Sequence, residues 1–132
     1  MPSLNMNGPY SLWIKDEKGN QAKNIGNIVP EDAKCGNYAF GYTIGNTFFV
    51  KYVGRSDHNL QSEIEQQMDT DRAKGCDKFM YSQANNAKEA FEKECRNFHD
   101  FGGADHLNNQ YHPDKPDNTD YKCPVVDCEY HK

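Results

Sequence analysis

Apolar and smaller residues alternate most regularly in two adjacent stretches. Tyr38, Phe40 and Tyr42 form the first, and Phe48, Val50 and Tyr52 form the second. A period of two predicts strands. Between them lies Ile44-Gly45-Asn46, which is turn sequence because Gly and Asn tolerate positive φ. The two strands are therefore predicted to pair as a β-hairpin. A three-residue loop centred on Gly45 would set Tyr42 opposite Phe48, Phe40 opposite Val50 and Tyr38 opposite Tyr52, with both tyrosine rings on one sheet face. A two-residue loop would break this match and put the tyrosines on opposite faces.

The period then lengthens. Asn59 suits the cap of a helix whose apolar positions are Leu60, Ile64 and Met68. Residues 78–82 read as a short third strand. A second helix is predicted over residues 86–100, with Ala87, Ala90, Phe91, Cys95 and Phe98 on one side, the spacing of a core-facing stripe. Upstream, Tyr10, Leu12 and Ile14 alternate and predict one strand over residues 10–15. Turn-rich sequence and a loop ending near Pro30 follow. From Gly102 the chain becomes rich in Gly, Asn, Asp, Pro and His, which predicts an irregular tail. The fold class is thus α/β (α+β): a small central antiparallel β-sheet of about three strands flanked by helices. Residues 1–34 form an N-terminal extension with a strand, 35–100 the organised core and 101–132 the tail.

Composition refines this picture. The mean hydropathy is -1.02 and hydrophobic residues make up 36% of the 132, which is thin for a core. Aromatics reach 12%, however, and each buried ring removes a large apolar area from water. A folded domain with long polar loops is expected rather than a disordered chain. The net charge of -5 speaks against strong, sequence-independent DNA binding, which needs a basic surface; any basic face must be local. The five cysteines have no framework spacing, as expected in a reducing compartment. The start, Met1 to Asn5, has no basic or apolar run, so no signal peptide is expected. No stretch approaches a membrane span. A cytoplasmic location and no membrane partner are expected.

Glu94 is the most informative polar residue. At 100° per residue it falls about 30° from the centre of its helix's apolar arc. A carboxylate there is costly unless it is paired, metal-bound or open to a cleft. The plain alternative is a Glu paired with a nearby Lys or Arg. Tyr38 and Tyr52 on one face would set two phenols side by side, able to orient water or donate to a phosphate oxygen. The plain alternative there is an ordinary aromatic cross-strand pair.

Gly36-Asn37-Tyr38, followed by Tyr52-Val53-Gly54-Arg55-Ser56-Asp57 and Asn59-Leu60, resembles the paired signature and strand-to-helix junction of the GIY-YIG nuclease superfamily. Glu89-Ala90 with Glu94 resembles its later, metal-binding helix. The resemblance covers residues 35–100 and includes the order of the elements. It implies a divalent-metal-dependent endonuclease acting on a nucleic-acid partner, DNA being the expected one. Glu94 would hold Mg²⁺ or Mn²⁺, and Tyr38 would orient or deprotonate the attacking water with Tyr52 beside it. A phenol's pKa near 10 means that a base role needs help.

The chain departs from the family pattern in its first helix. The family's arginine and its following histidine or tyrosine fall on Glu63 and Gln67. Arg55, directly after Gly54, could reach the same cleft. The family also tends to have an Asn after the metal helix, for which Asn108 and Asn109 are both available. A degenerate member that binds nucleic acid or a protein without cleaving is the alternative reading, and a small α/β interaction domain with an accidental resemblance is the third. The position of Arg55 discriminates. A guanidinium between Tyr38 and Glu94 favours the enzyme, and one in solvent favours binding.

In the tail, Cys123, Cys128 and His131 are the right ligand types for Zn²⁺. His112, His106, His99 or Cys95 could complete the set. The plain alternative is a pair of free cysteines, with no disulfide between them.

Overall fold

In the computed structural model, which describes residues 4–131, the chain forms a mixed α/β fold. It has a four-stranded antiparallel sheet, a separate two-stranded sheet and three α-helices. The reading of the chain start at Met1, Pro2 and Ser3 lies outside the described residues. The hairpin supplies the two longest strands, β4 (Gly36–Ile44) and β5 (Thr47–Ser56). The third predicted strand is β6 (Lys78–Gln83), and it pairs with the other side of β4.

The N-terminal stretch differs from the single strand predicted. It divides at Leu12 into β1 (Asn7–Ser11) and β2 (Trp13–Lys15). β1 pairs with β6, making a fourth strand in the main sheet. β2 pairs with β3 (Gln21–Lys23) as a small sheet of its own. Leu12 sits at the break, buried to 1% exposure. Its backbone N–H donates to Asp77 O, and its carbonyl accepts from Asn24 N. The predicted alternation holds as far as Leu12 and then fails: beyond the break Trp13 packs on the core and Ile14 is exposed, because the chain changes partner there. The predicted loop before Pro30 contains a short helix, α1 (Ile25–Ile28), whose Ile25 is fully buried.

The two later helices follow their caps. The Asn59 side chain accepts from Ser62 N at 2.8 Å and starts α2 (Leu60–Gln67). Asn86 does the same for α3 (Ala87–Asp100), accepting from Glu89 N at 2.9 Å. Such bonds satisfy backbone donors that the first turn leaves open.

The sheet order is β1-β6-β4-β5, so β5 is an edge strand. One core packs Tyr38, Phe40 and Phe79 with Leu60 and Ile64 of α2, together with Leu12, Ile25 and Val29. A second core packs Ala39 and Val53 with Phe98 of α3 and with Leu107.

The hairpin register corrects the expected one. Ile44 pairs with Thr47, Thr43 with Phe48 and Tyr42 with Phe49, so the loop is the two residues Gly45-Asn46. The register then shifts between Phe40 and Gly41: Gly41 faces Val50, but Phe40 faces Tyr52. The extra residue is Lys51, a β-bulge. A two-residue loop alone would have put the tyrosines on opposite faces. The bulge restores the phase, so Tyr52 joins Tyr38 and Phe40 in one aromatic cluster. Tyr38 itself stands opposite Gly54, not Tyr52.

Among the described residues, no helix is long and apolar enough to cross a membrane.

Candidate functional site

Both motif glycines are required by close approach. A Cβ on Gly36 would lie 2.4 Å from the backbone oxygen of Ser82 and 2.8 Å from Leu60 Cδ2. A Cβ on Gly54 would lie 2.4 Å from Tyr38 Cζ and 2.5 Å from its hydroxyl oxygen. The Tyr38 ring therefore lies flat against the Gly54 backbone and reaches across β5 toward the sheet edge. There its hydroxyl donates to Glu63 Oε2 of α2 at 2.9 Å. The Tyr52 ring is 6.1 Å from that of Tyr38, centroid to centroid.

Alternation along β5 places Arg55 toward α3. Its Nη1 donates to Glu94 Oε1 at 2.8 Å, and its Nε donates to Asp57 Oδ1 at 3.0 Å. The guanidinium also lies 5.2 Å above the Phe91 ring, a favourable cation–π position. Glu94 is thus brought by α3 from one side of β5, and Tyr38, Tyr52 and Glu63 come from the other. They meet in a cleft of ≈ 310 Å³ at the strand's open edge, lined also by Arg55, Asp57, His58, Gln67, Arg72 and Asp114. A neighbouring cleft shares Tyr52, Arg72, Glu94 and Asp114 and continues along residues 108–113.

Burial dominates the protonation chemistry. It raises the Glu94 carboxyl from 4.5 to about 7, against the opposing pull of Arg55. Burial likewise pushes the Tyr52 phenol up to about 12, with Glu94 adding to the effect. Tyr38 is raised well above 10 by burial, then by Tyr52 and Glu63. Neither tyrosine is a free phenolate at rest. The Tyr38 proton is already directed at Glu63, and the side chain is fully buried.

The Glu94 shift has a consequence for stability. Its folded pKa lies above its unfolded value, so the folded state binds the extra proton between pH 4.5 and about 7. The stabilisation is complete below that window and is lost as pH rises through it. Thermal unfolding from pH 4.5 to 8 should show a fall steeper in the wild type than in Glu94→Gln, by about 3 kcal/mol across the window. Equal slopes for the two proteins would show that the carboxyl titrates normally.

Glu94, Asp57, Glu63 and Asp114 all line one cleft, where Asp57 and Glu94 are paired with Arg55 and Glu63 accepts from Tyr38. They are the oxygen donors that a hard cation would draw on there, and Mg²⁺ or Mn²⁺ needs only one or two carboxylates because it keeps several waters.

Asn108 and Asn109 separate cleanly. Asn109 is buried, accepts from Val53 N at 3.0 Å and donates to Val53 O at 2.8 Å. It therefore completes the edge backbone of β5 with a side chain. Asn108 donates to the carbonyls of Arg72 and Lys74, both at 3.1 Å, and so anchors the turn that carries Arg72. Sequence reasoning missed Arg72. It lies outside the motif region's strands and helices, in the turn Asp71–Ala73, and its one signal is that the chain has few arginines. Its guanidinium donates to Gln67 Oε1.

The tail residues are only partly gathered as expected. Cys123 and Cys128 lie together, and all five cysteines are free thiols. His131 is turned away from them, with its Nδ1 2.7 Å from the carbonyl oxygen of Cys123. Their imidazole neighbours are His99 and His112.

No family model, no curated protein and no solved structure matches this chain.

Proposed function

We propose that the cleft at the open edge of β5 hydrolyses nucleic-acid phosphodiester bonds with a divalent cation held at Glu94. The observation that carries this reading is the placement of Arg55. Its guanidinium is bonded to Glu94 and lines the same cleft as Tyr38 and Tyr52, which supports the enzyme reading. The GIY-YIG resemblance supplies the reaction class.

The bound cation would offset charge on the phosphate. The chain's own residues have distinct tasks. Tyr38 accepts a hydrogen bond from the attacking water through its phenolic oxygen. As the water oxygen bonds to phosphorus, its proton passes to Tyr38, while the Tyr38 proton passes to Glu63. The bond from phosphorus to the leaving oxygen breaks, a water protonates that oxygen, and the hydroxide so formed takes the proton back from Glu63 as water. Glu63, which replaces the family's arginine, thus holds the proton only in passing, and no free phenolate is needed. Arg55 positions Glu94 and offsets part of its charge. Arg72 lines the same cleft and supplies a positive charge that can face a phosphate.

Binding without cleavage is the second reading. It is favoured by the commitment of Arg55 to two carboxylates, which leaves that cation less available to a substrate.

Incubation with mixed DNA and RNA substrates, duplex and branched, separates the two. The expected result is cleavage only with Mg²⁺ or Mn²⁺, reduced on the order of 10²-fold or more in Tyr38→Phe. Retarded migration with no cleavage under any metal would establish the second reading. Neither binding nor cleavage would remove both.

A further inference from the structure

We propose that His99, His112, Cys123 and Cys128 together bind one zinc ion, which fastens the C-terminal tail to α3. The ligand atoms of these four residues all lie within 4.8 Å of one another. Bonds of about 2.0–2.1 Å to nitrogen and 2.3 Å to sulfur give a tetrahedron with edges of about 3.3–3.8 Å. Small side-chain movements therefore close the set around an ion.

Three independent details point inward. The Nε2 atom of His99 is buried with no hydrogen-bond partner among the described residues, an expensive state for an imidazole nitrogen unless a ligand takes its lone pair. The Nδ1 atom of His112 is 2.9 Å from the carbonyl oxygen of Pro113. A proton shared there fixes the tautomer and leaves Nε2 as the ligand atom, 3.3 Å from Cys128 Sγ. The backbone N–H of Tyr130 donates to Cys128 Sγ at 3.4 Å, a contact that suits a sulfur carrying negative charge.

The donor chemistry selects the metal. Two thiolates and two imidazoles in a closed tetrahedron suit zinc, and the ligand set leaves no position for a substrate. The site is therefore structural. Two thiolates and a divalent cation sum to zero charge, which a buried site can tolerate. The mechanical need is also visible. Among the described residues beyond 100 the regular elements are short 3₁₀ turns, and Leu107, Asn109 and Cys123 are buried anchors. This inference is independent of the proposed nuclease reading.

The test uses the full chain, kept reduced. The purified protein should contain near one equivalent of zinc. Cobalt titrated into the chelator-treated protein should give the absorption of a tetrahedral thiolate-bound ion. His99→Ala, His112→Ala and Cys128→Ser should each weaken cobalt binding by more than roughly 100-fold. His131→Ala should leave it unchanged and shows that a tail variant still folds. Chelation should expose the tail to protease while residues 35–100 stay protected. Absence of zinc and cobalt binding, an octahedral cobalt spectrum, or loss of binding in His131→Ala in place of His99→Ala would each overturn the proposal.

Discussion

Gly54→Ala is expected to lower stability by about 3 kcal/mol or more, which for a chain of this size moves the unfolding midpoint down by about 10 °C. The new methyl carbon would occupy space held by the Tyr38 ring, 2.4 Å from Cζ. That ring can yield only by disturbing its neighbours. It is fully buried and is packed against Phe40, with ring centroids 5.2 Å apart, and beside Tyr52. Its hydroxyl is held by Glu63. Relief must come from separating β5 from β4 or from tilting the ring, and either change also moves the hydroxyl out of the cleft. Stability and cleavage should therefore fall together. Gly26→Ala is the matched control, since a Cβ there has only Gln61 Nε2 nearby, at 3.8 Å. Thermal unfolding of the three proteins measures the contrast. Equal midpoints for Gly54→Ala and Gly26→Ala would show that the ring does not lie against this glycine.

The parts of the fold with a regular period were legible in the sequence. Alternating aromatics gave β4 and β5, and the apolar stripe with its Asn cap gave α3. Glu94 stood out because its chemistry conflicts with its place in that stripe. What escaped were features with no period. The Lys51 bulge is one extra residue on an edge strand, and no residue type announces it. The break at Leu12 is hidden because Ile14 continues the alternation in sequence, yet in the fold the phase changes with the partner: Trp13 packs on the core and Ile14 is exposed. Arg72 reaches the cleft from a short turn, and His99 and His112 meet the tail cysteines only after α3 and residues 101–128 are folded. His131 was nearest in sequence to the cysteines, yet the 3₁₀ turn at Glu129–His131 directs its ring to a backbone carbonyl. Proximity along the chain and proximity in space part company in a tail held together by side chains rather than by a ladder.

Glu94→Gln is expected to remove cleavage, by on the order of 10³-fold or more, while keeping the fold. Gln retains an oxygen that can accept from Arg55 Nη1, so the bond now at 2.8 Å need not be lost. It removes an ionised carboxylate from a buried position, and Asp57 remains to pair with Arg55. At pH 8, above the raised Glu94 value of about 7, the variant should unfold no earlier than the wild type. A purely structural ion pair makes the opposite prediction, because removing one partner of a buried pair leaves the other charge uncompensated and is strongly destabilising. The most direct measurement is Mn²⁺ binding to the two proteins at pH 8, with thermal unfolding recorded on the same samples. Mn²⁺ favours oxygen donors, so the thiol cluster of the tail does not compete for it. The account predicts that Glu94→Gln binds Mn²⁺ at least roughly 100-fold more weakly at undiminished thermal stability. Lowered stability with unchanged Mn²⁺ affinity would contradict it.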